Sequence, residues 1–197
     1  LSPRNVDRDM QHRDQKISDI LDSAVYTIAG KGIGATSMKD IAQAAGISIG
    51  NLYHYFKSKE ELLDVLLKRS QQNYGELVRE LERLDEPPLA KLARLTRDWL
   101  TVEENWALTM IRQNVRTSHL ISHQIRRDVT DRFTDNLAPI ASIMAEGQKR
   151  GEIKDGDPTQ LAFYLVSLIQ GLTLQKAPGY EVPVAVEAQS IVNLFVK

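Results

Sequence analysis

Apolar residues recur along this chain at the three-to-four spacing of an α-helix almost from end to end, and no useful stretch alternates apolar and polar as a strand does. Ile17, Ile20, Leu21, Ala24, Val25 and Ile28 form one stripe, which stops at the cluster Gly30, Gly32 and Gly34. A short helix is expected after Thr36 or Ser37, with Ile41, Ala44 and Ala45 on its inner face. Gly46 then makes a turn, and Ser48 caps a second short helix over 49–55. Ser58 starts a long helix over about 59–84, closed by Asp85-Glu86-Pro87-Pro88. Further helices are expected near 89–101, 105–117 and 122–150, the last kinked or split at Pro139. Asp157-Pro158 launches a helix over 158–176, and 184–196 forms the last one.

Two short capped helices around a glycine turn make a helix-turn-helix, and the second is the candidate DNA reader. Gly50 lets its backbone approach a groove floor, and Asn51 has the donor and acceptor geometry for adenine. Leu52 and Phe56, four apart, share the inward face, while Tyr53, His54 and Tyr55 project toward the flanking strands. Thr36, Ser37 and Ser48 at the helix starts and Lys59 just beyond complete the expected DNA-contact set. Residues 1–60 hold eight Lys+Arg against seven Asp+Glu, so DNA affinity must come from local placement. No acid lies between Ile41 and Lys59, which leaves the reading surface locally positive.

Within this stretch Ile41-Ala42, Ala45-Gly46-Ile47-Ser48, Gly50, Leu52-Tyr53, Tyr55-Phe56 and Ser58-Lys59-Glu60 fall in register with one pattern. It resembles that of the TetR family of bacterial transcriptional regulators. The one departure is Tyr55, where the family more often has histidine; here a histidine precedes it, at His54. The resemblance implies a homodimer that binds a near-palindromic operator in double-stranded DNA, usually as a repressor, and that a small-molecule effector releases. The chain is therefore expected to be all-α, with a flexible N-terminal arm over 1–12, a three-helix DNA-binding domain over 13–58, and a helical ligand-binding and dimerisation domain over 59–197. Arg4 and Arg8 on the arm could reach a minor groove, but a solvated tail is the better reading of them.

The helix over 158–176 is apolar nearly all round, so one face can serve its own core and another a second copy of the chain. Leu161, Leu165, Leu168 and Leu172, extended by Ile191 and Phe195 in the last helix, are the expected dimer face, in a four-helix bundle built from two helices of each copy. Trp99, Trp106, Met110, Phe133, Met144, Phe163 and Tyr164 could line an apolar effector cavity, although for each alone plain core packing is the more ordinary reading. Arg112 and Arg116, one helical turn apart, could hold an anionic group beside it. The run Arg112-Gln113-Asn114-Val115-Arg116 loosely resembles the acyl-CoA-responsive branch of the family, which ranks an acyl thioester among the effectors.

At 197 residues, 42% hydrophobic and 26% charged with net charge −1, the chain can bury one substantial core and an appended module. It has no cysteine, which excludes disulfides, thiolate metal sites and thiol nucleophiles. It shows no 18-residue apolar run and no signal peptide, so a cytoplasmic protein without a membrane partner is expected. The glycine cluster at 30–34 follows a helix and lacks phosphate-loop spacing, so it is read as a helix end. Two other classes stay open. His119 and His123 would share a face if helical, as in a metal-dependent hydrolase, but no intervening glutamate or third ligand is evident, and neither metal nor cofactor nor enzymatic activity is expected. A helical adaptor that binds no DNA would need the reading helix buried.

Overall fold

In the computed structural model, residues 3–179 and 181–197 are described, with side chains from Arg8 onward. Among them are ten helices: α1 Pro3–Lys31, α2 Met38–Ala44, α3 Ile49–Tyr55, α4 Lys59–Arg83, α5 Pro88–Thr101, α6 Asn105–Thr117, α7 His123–Asp135, α8 Leu137–Lys149, α9 Pro158–Leu174 and α10 Ala188–Asn193. The described residues contain no strand, only one bridge between Ile153 and Val196 that ties the carboxyl end to the α8–α9 connection.

The expected stripe on α1 is buried through Ile20, Leu21, Ala24, Val25 and Ile28. Helical backbone also continues to Pro3, so from residue 3 onward the expected flexible arm is an extension of α1. Its described residues 8–16 are exposed, and a local bond from Gln15 Nε2 to Asp19 Oδ1 at 2.9 Å supports the helix without a core. The side chain of Arg4 lies outside the described residues.

Two hydrophobic clusters make the interior. The first joins α1, α2 and α3 to Leu62, Leu63, Leu66 and Leu67 of α4, and also to Trp106, Ile111 and Val115 of α6 and Ile125 and Val129 of α7. The second gathers Val78 and Leu81 of α4 with α5, α8, α9 and α10. Helix α4 therefore belongs to both, and the first cluster runs across the boundary expected at residue 58.

A buried polar network fastens α4 to the α7–α8 junction. Gln71 Nε2 donates to the Val129 carbonyl, Arg132 Nε donates to Gln71 Oε1, and Asn136 Nδ2 donates to the Gln71 carbonyl, each at 2.9 Å. A Cβ at Gly75 would collide with Asn136 Oδ1, so α4 can come this close only as glycine. The long helix expected over 122–150 breaks at Asn136 and not at Pro139. Pro139 sits in the first turn of α8, where a missing N–H costs little.

Two further expectations change. The last helix shrinks to Ala188–Asn193 and packs against α5, whereas α9 packs chiefly against α8. Leu165 is fully buried, and Ile191 and Phe195 are 6% and 7% exposed, all within the chain's own core. Leu161, Leu168 and Leu172 are half-buried against that same core. Leu165 thus faces inward, because an all-apolar helix first satisfies the core it is tethered to, whereas Leu161, Leu168 and Leu172 border that core and keep part of their surface open. Its outward side carries Phe163, Tyr164, Ser167 and Gly171.

Candidate functional site

The reading motif is built from caps. Ser37 Oγ accepts from the Asp40 N–H at 3.2 Å while Asp40 Oδ2 accepts from the Ser37 N–H at 2.8 Å, a reciprocal pair that starts α2. Lys31 Nζ also reaches Asp40 at 2.6 Å; with Ser37 it holds that carboxyl well below the usual range. Ala42 joins Ile41 inside, and Ala44 is exposed, so the inner face of α2 is rotated one step from expectation. Gly46 turns the chain at φ +66°, where a side chain would be strained. Ser48 Oγ then accepts from the Asn51 N–H at 3.1 Å and starts α3 at the expected residue.

Leu52 and Phe56 are 0% and 2% exposed, which fixes the rotation of α3. Gly50, Asn51, Tyr53 and His54 are consequently exposed along the opposite side. A Cβ on Gly50 would meet nothing of this protein closer than Ser48 Oγ at 4.0 Å, so no internal contact demands that glycine. Tyr55 turns partly inward against the first core cluster, and the Arg13 guanidinium of α1 lies 5.4 Å over its ring.

Two residues of the expected contact set do other work. Thr36 is 1% exposed, and its hydroxyl donates to the Gly32 carbonyl at 2.8 Å. Lys59 Nζ donates to the carbonyls of Ile33 and Thr36, both at 2.6 Å. Its ammonium therefore closes the turn after α1, where free carbonyls at a helix end attract a cation.

In the body, a cavity of about 470 Å³ opens between α1, α4, α5 and α6. Trp99 and Arg112 line it, as do Tyr74 and Asn73 of α4 and Leu21, Asp22, Val25 and Tyr26 of α1. Partial loss of solvent raises the pKa of Asp22 from its ordinary value, with Arg69 opposing. Phe133 lines a small adjoining void that shares Tyr74, Trp99 and Arg112 with the cavity.

The remaining expected lining residues go elsewhere. Met144 is fully buried core, and Trp106 packs in the first cluster beside Tyr26, ring centroids 6.4 Å apart. Met110 leans on that same cluster, and Phe163 and Tyr164 are 46% and 50% exposed. Arg116 is exposed and stacks over Phe133 at 5.9 Å, so the two arginines part company. Tyr74 and the α1 residues were not foreseen, since one lies on the connecting helix and the others on the expected DNA-binding domain. His119 sits in the loop before α7 and His123 is that helix's first residue, so no single helix presents both. No group of three or more His, Asp or Glu capable of holding a metal occurs among the described residues, and no helix among them is long and apolar enough to cross a membrane.

Residues 20–66 match the family model described as bacterial regulatory proteins, tetR family. The fatty acid metabolism regulator protein of Bacillus subtilis is 27% identical over 165 residues, covering 80% of each chain. The transcriptional repressor KstR2 of Mycobacterium tuberculosis is 41% identical over 63 residues, 32% of each chain. Its solved structure, the ketosteroid transcriptional regulator KstR2, superposes with TM-score 0.70 and 25% identity over 92% of this chain and 95% of that one. The structure of FadR from Bacillus subtilis in complex with stearoyl-CoA shares the fold, with TM-score 0.66 and 23% identity over 90% and 94%.

Proposed function

We propose that this chain, whose residues 20–66 match the model of the tetR family of bacterial regulatory proteins, is a cytoplasmic repressor of that family that binds a near-palindromic operator as a homodimer and leaves it when a small ligand binds the helical body. The observation that carries the reading is α3 itself, with Leu52 buried at 0% exposure and Gly50, Asn51, Tyr53 and His54 turned outward on a capped, acid-free surface. Two such helices about a two-fold axis enter successive major grooves when spaced by about 34–36 Å. Asn51 reads a base edge, and the ring-bearing residues beside it meet the backbone.

The outward side of α9 supports the dimer. Gly171 has no atom within 4 Å of where its Cβ would be, so nothing within this chain requires glycine there. A mid-helix glycine costs about 1 kcal/mol relative to alanine, and close approach of a second copy's helix offsets that cost. Phe163 and Tyr164, about two turns earlier on the same helix, are exposed, and Ala138 and Ser142 of α8 are exposed and small.

The effector is an apolar molecule with an anionic group, a class that includes acyl thioesters such as the one bound by the FadR neighbour. It favours the conformation that fits DNA poorly, so release follows from differential affinity for two states.

Operator selection from random duplexes tests the DNA reading. A near-palindromic consensus is expected, and Asn51→Ala is expected to relax preference at one base pair per half-site by about 1–3 kcal/mol. A protein that enriches no sequence overturns the proposal. Sedimentation tests the dimer: Gly171→Leu is expected to shift a wild-type dimer toward monomer.

A further inference from the structure

Among the described side chains, Arg112 is the one arginine with only 9% exposure, and no described carboxylate lies within 4.0 Å of its guanidinium. Its single hydrogen bond runs from Nη2 to Thr109 Oγ1 at 3.0 Å, on the same helix. A buried cation is costly unless a partner compensates it, and burial lowers this group's pKa to about 10, still cationic at neutral pH. The guanidinium lies 5.4 Å over the Trp99 ring and lines the cavity between α1, α4, α5 and α6. Trp99 is held in turn: its indole N–H donates to Thr173 Oγ1 at 3.1 Å, and its carbonyl accepts from Asn105 Nδ2 at 2.7 Å. Tyr74 meets it edge-on at 4.6 Å. The cation therefore sits against a fixed aromatic wall, with N–H donors left over.

The rest of the cavity sorts by depth. Leu21 and Val25 of α1 and Leu66 of α4 are buried and apolar, whereas Asp22 and Glu104 are exposed and Asp98 half-buried. Arg69 is the only other cation of the lining. A ligand whose negative charges lie outside would meet three carboxylates, while one whose charge points inward meets Arg112.

We propose that this cavity is the effector site and that it takes a small apolar monocarboxylic acid, bound with its carboxylate inward on Arg112 and its apolar body against α1. The proposal rests on ligand-controlled DNA release as read above, and names the end of the ligand that is recognised. A guanidinium pairs with a carboxylate through two parallel N–H···O bonds, and the charges neutralise each other away from water. About 470 Å³ suits a small molecule. Because α1 forms part of the wall, the ligand touches the DNA-binding domain directly. Any movement of α1 relative to α6 changes the fit, which is the differential contact that release requires.

Calorimetry on the full chain, without DNA, compares decanoate and 3-phenylpropionate with their primary amides, decanoyl-CoA and decyltrimethylammonium. At least one acid is expected to bind, its amide about tenfold to a hundredfold more weakly, and the cation not at all. Arg112→Met is expected to weaken the acid by a similar factor and to raise the melting temperature of the ligand-free protein, because an uncompensated buried charge is gone. Arg112→Lys, which keeps the charge but loses the paired geometry, is expected to bind the acid with intermediate affinity. Val25→Trp, which fills the α1 wall, is expected to abolish binding. If decanoyl-CoA binds and releases operator from wild type and Arg112→Met alike while the acids do not bind, the inference falls and the regulator reading stands. If Arg112→Met lowers the melting temperature, Arg112 is structural and the inference also falls. Wild type that binds the acids but no operator removes the regulator reading instead.

Discussion

The DNA-reading motif and the helical body use polar residues in opposite ways. In α2 and α3, Ser37, Asp40 and Ser48 bind backbone groups at helix ends, and the outward side chains of α3 are free for a partner. In the body the polar groups that matter are inside: Gln71 and Asn136 tie α4 to α7 and α8, and Arg112 lies uncompensated beside Trp99. Helices of seven residues bury too little to hold themselves, so their ends must be secured locally. Longer helices are held by packing, and their interior can carry a polar group that costs stability.

The largest effect is expected from Leu52→Ala. Its side chain is fully buried in a small module, so about 2–5 kcal/mol should be lost and DNA binding with it. A thermal scan that separates melting of the module from melting of the body checks whether the shared first cluster makes the loss global. One transition is expected, since Leu62 to Leu67 and α6 belong to that cluster.

Lys59→Met comes next, at about 1.5–3 kcal/mol, because two carbonyls lose a charged donor. Operator affinity should fall with the slope of its salt dependence unchanged. A slope lower by about one would mean that Lys59 contacts a phosphate after all.

Gln71→Leu probes the body's equivalent. It leaves the Val129 carbonyl and Arg132 Nε without their partners, and chemical denaturation should show a loss of about 1–3 kcal/mol. A loss under half of that would mean that water replaces the glutamine and that interior polar ties matter less here than end caps do.

Ser48→Ala should cost the least, about 1 kcal/mol, and Ser48→Gly only a few tenths. Hydrogen exchange at the Asn51 amide is the sensitive measurement, because that N–H is the one the cap satisfies.

What could be read without a fold was whatever is local. The limits of α3 and α6, the caps at Ser48, Ser58 and Asp157, and the turn at Gly46 all emerged at the expected residues. Each depends on contacts within four residues, where periodicity and capping chemistry act. The same locality explains why Leu52 and Phe56 were placed inside from their spacing alone.

Tertiary structure decided everything that depends on what lies opposite. Periodicity defines a face of a helix but not its neighbour, so Leu165, Ile191 and Phe195, expected to meet a second copy, are taken by the chain's own core. Lys59 finds carbonyls 23 and 26 residues back in the chain, and no local rule connects them. Arg112 and Arg116 look alike in sequence, one helical turn apart, yet one is buried over Trp99 and the other exposed over Phe133. The cavity joins α1 to α4, α5 and α6, and no one segment of the chain contains it. Local chemistry set the capped ends and the short helices of the reading motif; long-range packing set the break at Asn136 and which side chains remain free to bind.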